Sequence, residues 1–101
     1  MARPTIYGLR DRRLNTMSAE ERGKFHEALA AARLALEVGQ KIRDAREAAE
    51  LTQRDLATLM STSQAAVARL EAGGTSPTLT TLNKAAAALN MTLTVNLARA
   101  L

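Results

Sequence analysis

The sequence predicts a mainly α-helical fold: a bundle of about five helices with an N-terminal extension helix and a C-terminal β-strand that pairs in a dimer. Three observations lead there. Hydrophobic residues make up 47% of the 101 residues, but the only aromatics are Tyr7 and Phe25. The core is therefore built from Leu, Ala, Val, Ile and Met, which suits packed helices better than a sandwich. Apolar positions recur at three- and four-residue spacing through most of residues 18–90, whereas residues 91–97 alternate apolar and polar.

Residues 1–17 contain Pro4, Gly8 and Asn15 and lack helical periodicity, and they read as a basic, extended or mobile arm. Ser18-Ala19-Glu20-Glu21 is a capping-box sequence, so a helix is expected over 18–38, with Phe25, Ala28, Leu29, Ala32 and Leu36 on one face. A second stripe, Leu34, Val38, Ile42, Ala45 and Ala49, runs through Gly39. The helix either continues there or breaks briefly, since an interior glycine costs about 1 kcal/mol relative to alanine. Thr52 caps a short helix to about Met60, with Leu56, Leu59 and Met60 inward and Ala57 small. Ser61, Thr62 and Ser63 form a turn, and Ser63 caps a helix from Gln64 to Ala72 with Val67 and Leu70 inward. Gly73-Gly74 ends it. Ser76-Pro77-Thr78 restarts the chain, and Leu79, Leu82, Ala85, Ala86 and Leu89 form a further amphipathic helix. Met91, Leu93, Val95 and Leu97 lie on one face of the terminal strand. A lone strand leaves its backbone groups unpaired. Its partner is a second copy of the chain, another protein, or the segment Pro4-Thr5-Ile6-Tyr7.

Composition narrows the function. The chain has no cysteine and one histidine, His26, so no metal site or cofactor is expected. So few groups offer no nucleophile–base pair, and no Gly-rich phosphate loop follows a strand, which argues against an enzyme. The hydroxyl run Thr75-Ser76-Pro77-Thr78 is turn and cap chemistry, and His26 reads as a surface helix residue. No apolar run approaches the roughly 18 residues of a membrane span. Met1-Ala2-Arg3-Pro4 lacks the apolar stretch of a signal peptide, so a cytoplasmic location is expected.

The net charge is +4 and the isoelectric point about 10.3, as suits a nucleic-acid partner. Arg3, Arg10, Arg12 and Arg13 against Asp11 give residues 1–16 a net +3, while residues 39–78 are neutral overall. The arm is thus either a contact to DNA phosphates or an acidic partner, or a solvated tail.

The two short helices over 52–60 and 63–72, joined by about three residues, have the spacing of a helix-turn-helix. Ala57 lets the two helices cross closely, and Val67 and Leu70 anchor the second. Its outer side shows Ser63, Gln64, Ala65, Ala68 and Arg69. Gln and Arg can pair with adenine and guanine edges, and small alanines admit base edges and thymine methyls.

The runs Leu51-Thr52-Gln53-Arg54-Asp55-Leu56-Ala57 and Ser63-Gln64-Ala65-Ala66-Val67-Ala68-Arg69-Leu70-Glu71-Ala72-Gly73, preceded by Ile42-Arg43-Asp44-Ala45-Arg46, resemble the Cro/C1-type (XRE) helix-turn-helix family across residues 39–90. The resemblance implies that Gln53 contacts a backbone phosphate and braces the reading helix, that Ser63 sits at a phosphate, and that Gln64, Ala65 and Arg69 face bases; Ala68, on the same outer side, is a further candidate at the DNA. It further implies a structural ion pair between Arg46 and Glu71. The added N-terminal helix and the terminal strand are similar to HigA-type antitoxins of bacterial toxin–antitoxin pairs. That likeness implies a homodimer on a palindromic double-stranded DNA operator and a small ribonuclease toxin of the HigB/RelE kind as partner. The plainer expectation is a stand-alone repressor. On this reading residues 18–38 bind the toxin through Phe25, Leu29, Ala32 and Leu36. The alternatives for the same face are cover for the chain's own bundle and, behind that, a helical dimer contact. Residues 39–90 form the DNA-binding domain and 91–101 the dimerisation strand.

Overall fold

The computed structural model describes residues 17–74 and 76–100. The arm over 1–16, including the strand-partner candidate Pro4-Thr5-Ile6-Tyr7, lies outside the described residues, as does Thr75 of the hydroxyl run. Among the described residues there are four helices: α1 (Ala19–Ala48), α2 (Gln53–Leu59), α3 (Gln64–Ala72) and α4 (Leu79–Ala88). The chain divides into two compact units, Met1–Ala31 and Ala32–Leu101.

In the first unit, Ser18 Oγ accepts the Glu21 N–H at 3.1 Å and starts α1. Lys24 pairs with Glu20 one turn away, in the open, where such a pair contributes little. The Phe25 ring meets His26 edge-on at 5.9 Å between centroids. Phe25 and Leu29 are half-buried.

In the second unit, α1 passes through Gly39 without a break. The expected extension helix and the first bundle helix are therefore one element of 30 residues, and the described helices number four rather than five. Gly39 is buried and faces the end of α3, where a Cβ would fall 2.5 Å from the Leu70 and Glu71 carbonyl oxygens. Its role is close approach, not bending. The inward face of α1 is Ala35, Gly39, Ile42 and Arg46, with Val38 and Ala45 half-buried beside it. The stripe expected to begin at Leu34 is shifted, since Leu34 is 60% exposed and Ala49 is exposed too.

Ile42, Leu56, Ala57, Met60, Val67, Leu70 and Ala85 form the core, with Val38, Leu82, Ala88 and Leu89 packed against it. Leu56 and Val67 are fully buried, each worth about 1.5–3 kcal/mol as a buried side chain. Leu59 and Leu79, expected inward, are exposed instead. Leu59 is the last residue of α2 and Leu79 the first of α4, so both lie at helix ends beyond the packed middle of each face.

Every described helix end after α1's start has a local cause. Thr52 and Asp55 form a reciprocal capping box: the Thr52 oxygen accepts the Asp55 N–H at 3.0 Å, and the Asp55 carboxylate accepts the Thr52 N–H at 2.9 Å. These bonds hold the Asp55 carboxyl below the usual aspartate range. Ser63 and Thr78 cap α3 and α4 in the simpler way, through the N–H groups of Ala66 and Thr81. The four helices end on left-handed residues, Glu50, Ser61, Gly73 and Asn90. Each is followed by a residue whose N–H reaches back five positions, from Leu51 to Arg46, Thr62 to Ala57, Gly74 to Arg69 and Met91 to Ala86. These are Schellman endings.

The expected strand over 91–97 is absent from the single chain. Residues 91–100 carry no regular secondary structure. A strand is defined by ladder bonds to a neighbour, and no described segment supplies one. Met91, Val95 and Leu97 are exposed and Leu93 is half-buried.

Candidate nucleic-acid interface

α2, the turn over 60–63, and α3 place the outward residues of α3 on one exposed arc. Val67 and Leu70 fix the inner side of the helix, and with 3.6 residues per turn Ala65, Ala68, Arg69 and Ala72 then point away from the core, while Gln64, about 60° round from Val67, stands at the open first turn. Gln64, Ala65, Arg69 and Ala72 are exposed, and Ala68 is half-buried. Neither the Gln64 side chain nor the Arg69 side chain makes a hydrogen bond or ion pair with another described residue. The N-terminus of α3 is held by Ser63, whose oxygen takes the Ala66 N–H at 3.1 Å and whose own O–H remains available to donate.

The C-terminal end of α3 is clamped by α1. Arg46 and Glu71 are buried at 9% and 7% exposure, and they meet as a bidentate pair. Arg46 Nε donates to Glu71 Oε2 at 2.7 Å and Nη2 to Oε1 at 3.0 Å. The third nitrogen, Nη1, donates to the Leu51 carbonyl at 2.8 Å. The Glu71 hydrogen bond raises the Arg46 pKa further above its ordinary value, against the opposing effect of burial. The guanidinium stays charged at any pH the protein meets. Gly39 lies against the same end of α3, and Leu36 packs on Gly73, where a Cβ would come within 3.0 Å of the Leu36 backbone.

The ion pair has a third member. Gln53, half-buried at the start of α2, donates from Nε2 to Glu71 Oε1 at 3.2 Å. One of its amide N–H groups is thus spent inside the protein, leaving one donor and one acceptor for anything outside. Sequence reasoning paired Arg46 with Glu71 and expected Gln53 to brace α3, though not through Glu71, and it missed the close approach at Gly39. That approach had a signal: Ala35, Gly39, Ile42 and Arg46 follow a 4-3-4 spacing that puts the glycine in the middle of a packed face.

The other singled-out residues are more scattered. On α1, Ala32 is exposed and Leu36 is 56% exposed. Beside α3, an open groove of about 320 Å³ is lined by Met60, Thr62, Ala66, Arg69, Pro77 and Thr81, and it adjoins the exposed arc through Arg69. Among the described residues no cluster of His, Cys, Asp or Glu could hold a metal ion, and no helix is long and apolar enough to cross a membrane.

A helix-turn-helix family model matches residues 42–96, over half of the chain, spanning α2, the turn and α3 together with α4. No curated protein and no solved structure matches the chain.

Proposed function

The chain belongs to the Cro/C1-type helix-turn-helix family of DNA-binding regulators, and from that premise we propose that it is a dimeric repressor of its own operon and the antitoxin of a small ribonuclease toxin of the HigB/RelE kind. The observation that carries the DNA reading is the pair of uncommitted polar side chains, Gln64 and Arg69, on the outer arc of a helix whose other side is locked to the core by Val67 and Leu70. Inserted into the major groove, Gln64 pairs with an adenine edge and Arg69 with a guanine edge, while Ala65 and Ala68 lie against thymine methyls. The Ser63 hydroxyl and the remaining Gln53 N–H donate to phosphates on either side and set the register. In a two-fold dimer the two α3 helices enter successive major grooves about 34 Å apart on a palindromic operator.

The dimer seam is assigned to Met91, Leu93, Val95 and Leu97. Their alternation and the exposure of three of them support pairing with the same segment of a second copy. The toxin-binding face is assigned to Phe25, Leu29, Ala32 and Leu36. Their 4-3-4 spacing along α1 and the exposure of Leu36 support it, together with the likeness to HigA-type antitoxins.

Two measurements test the proposal. Arg69→Ala should cost about 1–3 kcal/mol at one base position. Equal weakening on every sequence would remove Arg69 from the base contacts. Co-expression with the neighbouring reading frame, followed by mass determination, should give a stoichiometric complex with a small basic protein. A homodimer alone that still binds its own promoter would leave a stand-alone repressor.

A further inference from the structure

We propose that DNA binding by this chain is sensitive to methylation of an adenine in its half-site, because Gln64 alone on the reading face can recognise that base. The inference rests on the reading of α3 as the base-contacting helix. An adenine presents one acceptor, N7, and one donor, the N6 amino group, to the major groove. Matching both takes a side chain that donates and accepts at once, as a carboxamide does. On the outer arc of α3 that group is Gln64. Ala65, Ala68 and Ala72 carry no polar atom, and Arg69 only donates. The Ser63 oxygen already holds the Ala66 N–H. Gln53, the next carboxamide in the motif, stands on α2 rather than α3, with one N–H tied to Glu71. Nothing else on the face can take over from Gln64.

In a base pair one N6 hydrogen bonds to thymine and the other points into the major groove. A methyl group on N6 of the paired adenine takes the place of the second. Gln64 Oε1 would then face carbon where it needs a donor at about 2.9 Å, and carbon requires roughly 3.5 Å or more. The acceptor is left unpaired in a water-excluded contact, which is the costly arrangement. At 1.5 Å per residue, Gln64 and Arg69 lie about 7.5 Å apart along the helix. They address base pairs about two steps apart at roughly 3.4 Å per step. The guanine contact of Arg69 is therefore untouched, and methylation weakens binding without abolishing it.

The test starts with the full chain and a pool of random-sequence duplexes. The enriched half-site is then synthesised with adenine or N6-methyladenine at each adenine position in turn, and affinities are read by fluorescence anisotropy. The half-site should contain an adenine whose methylation lowers affinity about 10- to 100-fold. Gln64→Ala should bind the unmodified duplex weaker by a similar factor and no longer distinguish the two. Gln64 is exposed and its side chain makes no bond to another described residue, so this variant keeps the fold, checked by far-ultraviolet circular dichroism. The proposal is overturned by equal binding at every adenine, by discrimination that survives Gln64→Ala, or by a half-site without adenine. Enrichment of no sequence at all is a different failure, since it removes α3 as a base-reading helix.

Discussion

The most consequential single contact joins Arg46, Gln53 and Glu71. Two charges at less than 10% exposure are tolerable only because each is met by short, directed bonds. Glu71→Ala leaves the Arg46 guanidinium buried with only the Leu51 carbonyl and a 3.8 Å approach to Glu47, and it frees the Gln53 amide. We expect stability to fall by about 3–5 kcal/mol, read by urea unfolding. A fall below about 1 kcal/mol would mean that water reaches the site. The Arg46–Glu71 pair was legible in the sequence because both residues fall at motif positions. The bracing of α3 by Gln53 was expected from the same resemblance, but Glu71 as its partner was not. A glutamine at a helix start has no local reason to turn toward one particular carboxylate. The bond to Glu71 narrows the phosphate role expected of Gln53 to one remaining N–H.

At the scale of elements, α3 matches its expected bounds because its cap and its stop are both written locally, in Ser63 and Gly73. The other endings were harder to read, because Glu50, Ser61 and Asn90 adopt the left-handed conformation that usually marks glycine. The length of α1 was the largest ambiguity. Gly39 looks like a helix breaker in sequence, yet it is buried against the Leu70 and Glu71 carbonyls, a tertiary contact whose trace in the sequence is the 4-3-4 spacing of Ala35, Gly39, Ile42 and Arg46. Gly39→Ala separates the two readings by sign. Helix propensity alone would make it stabilising by about 1 kcal/mol. The clash with rigid backbone predicts a destabilisation of about 1–3 kcal/mol instead. A rise in the urea midpoint would show that α1 and α3 can move apart without cost. The terminal strand was unreadable for another reason: alternation in residues 91–97 reports a two-faced segment, but the ladder that makes it a strand must come from a neighbour.

For the whole molecule, charge and geometry are divided. Residues 39–78, which include the reading helix, are neutral overall, while residues 1–16 carry a net +3. Phosphate neutralisation dominates affinity for DNA. A chain truncated before residue 17 should therefore show a shallower salt dependence, with the slope falling by about 0.9 for each phosphate no longer neutralised. Its ranking of DNA sequences should not change, because α3 is intact. An unchanged slope would assign the phosphate neutralisation to cations of the bundle such as Arg43, Arg54 and Lys84.

The run of alanines on α3 has an evolutionary consequence. Ala65 and Ala72 are exposed on the side of the helix opposite Val67 and Leu70, with half-buried Ala68 beside them. On the proposed docking of α3, longer side chains at Ala65 and Ala72 extend into the DNA groove and leave the core unchanged. Single codon changes can thus retarget the protein while its stability is preserved. On the same proposal, duplicated copies would drift apart in the DNA they bind before they diverge in fold.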